Sequence, residues 1–68
     1  MNSQLDNNIA KLRSKRKVSQ QQLADLIGVS RKTISTVETG RFTPSVVIAL
    51  RLARYFEIPV ESIFVLDE

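Results

Sequence analysis

Arg31, Lys32, Ser35 and Thr36 sit in one eight-residue run, RKTISTVE, which also carries Ile34 and Val37 three positions apart. At helical spacing the two apolar residues take one side and the polar residues the other. A guanidinium, an ammonium and several hydroxyls then share a donor-rich face, and packing gives no reason to keep such a face. Its chemistry suits a partner rich in acceptors and negative charge.

The element that must position this face is residues 19–40, SQQQLADLIGVSRKTISTVETG. Ser19 and Gln22 form a capping box, each side chain placed to bond the other's backbone amide. Leu23, Ala24, Leu26 and Ile27 follow as an apolar stripe. Gly28 stops that helix because it enters the left-handed region without a Cβ clash. Ser30 is an N-cap for the next helix, and Gly40 is its C-terminal stop. Two short helices with a glycine between them cross steeply, as in a helix-turn-helix. The plainer alternative is a helical hairpin inside a core. Small Ala24, the Gly28 turn and the Ile34–Val37 pair favour the crossed arrangement.

Charge is distributed unevenly. Residues 7–41 carry a net +6, from Lys11, Arg13, Lys15, Arg16, Lys17, Arg31, Lys32 and Arg41 against Asp25 and Glu38. Residues 42–68 carry a net −2. A basic half beside a donor-rich helix points to phosphate. The 68 residues are expected to form one domain, 1–68, burying roughly 60% of the unfolded surface. Histidine and cysteine are both absent. That removes the usual nucleophile–base pairs, thiolate metal sites and disulfides, so neither an enzyme nor a metal or cofactor site is expected. No run nears the ~18 apolar residues of a membrane span. The segment MNSQLDNNIA lacks a signal peptide's apolar core, and the absence of cysteine suits a reducing cytoplasm.

At Gln20, Ala24, Gly28, Ile34, Val37, Glu38 and Gly40 the chain resembles the Cro/cI-type (XRE-like) helix-turn-helix regulator family, with the same residues at the same spacing. The resemblance extends from about residue 9 to 64 and is closest to minimal stand-alone members. It implies an all-α, compact five-helix, lambda-repressor-like domain with a short apolar C-terminal tail. It also implies that Arg31, Lys32, Ser35 and Thr36 point into the major groove of double-stranded DNA. There Arg31 and Lys32 suit guanine O6 and N7, while Thr36 offers a hydroxyl or a methyl for thymine. Gln20, Ser30, Thr33, Arg41, Lys17 and Thr39 are implied contacts to the DNA backbone, and Arg13 is implied to brace Glu38. Relatives often place Gly or Asn where Lys17 stands, so this turn is expected to be strained.

The remaining expectations follow the chain. A first helix covers about residues 6–17, capped by Asp6 or Asn7, with Ile9, Leu12 and Val18 inward. Phe42 plugs the core, and Ser45 caps a fourth helix that runs to about Phe56. Val46, Ala49, Leu50, Ala53 and Phe56 face inward, and a fifth helix covers residues 60–64 with Ile63 and Phe64 turned in. Ile48, Leu52, Tyr55, Phe64 and Leu66 are left as a dimer surface within residues 48–66, since the helix is apolar too far round for a lone domain. The expected activity is that of a homodimeric repressor of a near-palindromic operator, with no small-molecule ligand and no membrane partner. An antitoxin-like protein-interaction module on the same fold is the competing expectation.

Overall fold

The computed structural model describes residues 4–67, which run β1 (Gln4–Asn7), α1 (Ile9–Arg16), α2 (Gln20–Ile27), α3 (Arg31–Glu38), α4 (Val46–Phe56), a 3₁₀ turn (Val60–Ser62) and β2 (Phe64–Asp67). Residues 1–3 and 68, which entered the sequence reading only through charge, the leader test and the domain bounds, lie outside the described residues. Among the described residues there are four α-helices where five were expected, and with two strands the fold is not all-α. β1 and β2 pair antiparallel, with Leu5 opposite Leu66 and Asn7 opposite Phe64.

The first helix starts later than expected because the strand takes its first residues. Asn7 still governs the helix entry: its Oδ1 accepts the Ile9 amide at 3.1 Å. Asn8, the residue at the cap itself, makes no side-chain cap bond. Its amide donates instead to Ile63 O, and its side chain to Ser62 O. After Pro59 only one 3₁₀ turn forms, closed by Ser62 N to Pro59 O and Ile63 N to Val60 O, each at 2.9 Å. Pairing with β1 then draws the chain into β2.

The core takes Ile9 from α1, Leu23, Ala24 and Ile27 from α2, Ile34 and Val37 from α3, Leu52 and Phe56 from α4, and Ile63 and Phe64 after the 3₁₀ turn. Leu12 and Val18 are half-buried. Four expected core residues, Leu26, Phe42, Val46 and Leu50, are outside it. Leu26 is 59% exposed, because Leu23, Ala24 and Ile27 alone complete the inward face of α2. Phe42 is 48% exposed in the loop before α4. In α4 the buried side is centred on Leu52 and Phe56, with Ala49 and Ala53 half-buried, and Val46 and Leu50 point outward. The two small alanines let α4 lie close to the bundle, which puts the longer Leu52 rather than Leu50 into the space.

Lys17 ends α1 in the left-handed conformation at φ 56°. A Cβ in that region costs about 1–2 kcal/mol. Lys17→Gly should therefore stabilise the domain by about 1 kcal/mol, raising the melting temperature by about 4–8 °C. A thermal melt followed by circular dichroism checks this, and an unchanged or lower midpoint would refute it.

Candidate nucleic-acid interface

Local chemistry builds the two helices as the sequence predicts. Ser19 Oγ accepts the Gln22 amide at 3.0 Å, and Gln22 Oε1 accepts the Ser19 amide at 2.8 Å. Gly28 carries φ 77° at the end of α2. A Cβ there would first meet Arg51 Nη1 at 3.5 Å, so backbone conformation rather than space demands glycine. That guanidinium donates to Ile27 O at 3.2 Å and so caps the end of α2, a role the sequence did not signal. Ser30 Oγ accepts the Thr33 amide at 3.1 Å and opens α3. Gly40, at φ 78°, lets the Arg41 amide fold back to Thr36 O at 2.9 Å.

The orientation of α3 is held from three sides. Arg13 grips Glu38 through Nε to Oε2 at 2.5 Å and Nη2 to Oε1 at 3.1 Å, a fork of two bonds to one carboxylate. Arg13 Nη1 also donates to Val18 O. From α2, Gln20 Nε2 donates to Glu38 Oε1 at 3.0 Å. From β1, Asn7 Nδ2 donates to Val37 O at 3.0 Å, near the end of α3. The Glu38 side chain is only 8% exposed and that of Arg13 19%. Burial pushes the Glu38 carboxyl up. The hydrogen bonds from Arg13 and Gln20 and the Arg13 charge outweigh it, so the group is held below its ordinary value. The same hydrogen bond outweighs burial at Arg13 and raises it.

On α3, Arg31 and Lys32 are exposed and Ser35 and Thr36 half-buried, the four falling within one arc of the helix that excludes Ile34 and Val37. Neither Arg31 nor Lys32 has a carboxylate within ion-pair distance among the described residues. The four expected reading residues therefore share one face. The expected flanking set is less uniform. Lys17, Thr39 and Arg41 are exposed. Gln20 is half-buried, and its amide nitrogen donates to Glu38 in the brace. The hydroxyls of Ser30 and Thr33 bond each other at 2.9 Å, and Ser30 is also occupied as a cap. The brace from Asn7 left no sequence signal, because its partner lies 30 residues away. Of the expected dimer residues, Leu52 and Phe64 are buried in the core of one chain and present nothing to a partner. Ile48 and Tyr55 are half-buried, and Leu66 is exposed.

The HTH_3 family, described as helix-turn-helix, matches residues 9–63. An uncharacterized HTH-type transcriptional regulator of Bacillus subtilis is 33% identical over 64 residues, 94% of this chain and 97% of the relative. One from Archaeoglobus fulgidus is 40% identical over 60 residues, 88% of this chain and 84% of the relative. Among solved structures, the restriction-modification controller protein C.AhdI from Aeromonas hydrophila has a TM-score of 0.75 at 33% identity, over 81% of this chain and 83% of that one. The transcriptional regulator VanUg shares the fold, with a TM-score of 0.82 at 19% identity over 98% of this chain and 89% of that one. With the braced, donor-lined α3 at its centre, the chain belongs to the XRE-like helix-turn-helix family of non-enzymatic, DNA-binding transcriptional regulators.

Proposed function

We propose that the protein is a homodimeric repressor that reads a near-palindromic operator through α3, in the cytoplasm. The observation that carries this reading is the donor face of Arg31, Lys32, Ser35 and Thr36 on a helix held from behind by Arg13, Gln20 and Asn7. A braced helix presents its donors in one geometry, which base-edge recognition requires. Exposed Lys17 and Arg41 supply contacts to the flanking phosphates, and these hold register without reading sequence. C.AhdI, a controller protein by name, supports a regulatory role.

One domain of this size spans too few base pairs for a selective site. Pairing two copies sets their recognition helices about 34 Å apart, one turn of DNA. With Leu52 and Phe64 buried, we assign the pairing surface to the outward side of α4 instead of the expected stripe. There Val46, Val47 and Leu50 are all exposed on one face. Single exposed apolar residues are ordinary, whereas adjacent ones on one helix face mark an interaction surface. A dimer of this kind blocks polymerase without a further contact surface, which favours repression over activation.

Selection of genomic fragments at near-physiological salt, followed by footprinting, tests the proposal. A short inverted repeat protected symmetrically is the expected result. Arg31→Ala should cost about 1–3 kcal/mol per half-site and flatten preference at one base position. Salt-sensitive, sequence-blind binding would reject the repressor and turn attention to a protein partner for the α4 face.

A further inference from the structure

Thr36 in α3 and Thr39 at its C-cap have hydroxyls that are already engaged. Thr36 Oγ1 donates to Lys32 O at 2.9 Å and to Thr33 O at 3.1 Å. Thr39 Oγ1 does the same with Ser35 O and Thr36 O. This back-bonding onto the preceding turn fixes the side-chain rotamer. With Oγ1 turned to the carbonyls, Cγ2 takes another staggered position, where a ligand can meet the methyl without breaking a bond in α3. Lys32 and Thr36 lie one turn apart, so a cation and a methyl follow each other along the reading face.

Resting on the operator-reading function above, we propose that Thr36 reads a thymine through its methyl group, Cγ2 against the C5-methyl, and not through its hydroxyl. Thymine offers the major groove one acceptor, O4, and one methyl. The acceptor needs a donor, and the only hydroxyl hydrogen of Thr36 is directed at its own helix. Methyl contact needs no bond in α3 to break. The competing chemistry is acceptance by Oγ1 of an amino hydrogen from adenine or cytosine, because the bonded hydroxyl keeps lone pairs.

Two substitutions separate these chemistries. Thr36→Val keeps the shape and a methyl but removes the hydroxyl, whereas Thr36→Ser keeps the hydroxyl and removes the methyl. Binding is measured on the selected operator, with each thymine of a half-site replaced in turn by deoxyuridine, which lacks only the C5-methyl. At one thymine per half-site the replacement should weaken wild type and Thr36→Val roughly fourfold, the worth of one buried methyl, and leave Thr36→Ser unaffected. Weak binding by Thr36→Val with full binding by Thr36→Ser would assign the contact to the hydroxyl and overturn the proposal. Selective binding with no deoxyuridine-sensitive position would overturn it while leaving operator reading intact. Absence of any selective fragment would overturn both.

Discussion

Glu38→Ala is expected to remove more than half of the folding stability of the domain. Removing the carboxylate strands the Arg13 guanidinium, 19% exposed, and leaves Gln20 Nε2 without its acceptor. Breaking a buried pair costs about 3–5 kcal/mol, and the partial exposure of Arg13 places this case near the lower figure. A small domain with no disulfide sits at the lower end of the usual 5–15 kcal/mol, so most of its stability is at stake. Urea unfolding followed by circular dichroism measures the loss directly, and a midpoint equal to wild type would show that the brace is ornamental. Acid gives a second readout. The folded-state Glu38 carboxyl lies below its ordinary value of about 4.5, so its contribution to stability is fully present above that pH. The contribution is lost as pH falls through the depressed value, where protonation releases Arg13. Glu38→Gln should lower stability at neutral pH and remove this component of the acid dependence.

Leu50→Glu should produce a monomer whose operator affinity falls by about 100-fold or more. The side chain is 56% exposed on α4, so the change leaves the fold of one chain almost untouched. In a dimer paired through this face, as proposed, it would set two like charges against each other. Joining two reading heads multiplies affinity by about 10²–10⁴ through effective concentration alone, and a monomer forfeits that factor. Sedimentation fixes the mass, circular dichroism confirms folding, and a gel shift on the selected operator reports affinity. A Leu50→Glu protein that still sediments as a dimer would place the contact elsewhere, for instance at exposed Leu66.

The helix-turn-helix was legible because its determinants are local. Ser19 with Gln22, Gly28, Ser30 and Gly40 each act within a few residues, and Ile34 and Val37 alone mark the inward side of α3. The Arg13–Glu38 brace came from family resemblance, since spacing cannot join residues 25 apart. What escaped was settled at long range. β1 and β2 are four residues each and exist only because Gln4 meets Asp67 and Asn7 meets Phe64. Neither segment carries a run long enough to be told from a helix end or a coil. α4, VVIALRLARYF, is apolar almost all round, so periodicity could not fix its rotation. The close approach allowed by Ala49 and Ala53 decided that. Phe42 and Leu26 show the converse, since an apolar side chain is not buried merely by being apolar.

The arrangement of α3 has a further meaning for how such a protein changes through time. The side chains that anchor the helix are Ile34, Val37 and Glu38, while exposed Arg31 and Lys32 enter no ion pair among the described residues. Substitutions at exposed positions of this kind usually alter stability by no more than about 0.5 kcal/mol. A lineage carrying this scaffold can therefore exchange its target sequence in single steps without first acquiring spare stability. One frame then serves many operators, and divergence can concentrate at a few outward positions while the clamp behind them stays constant.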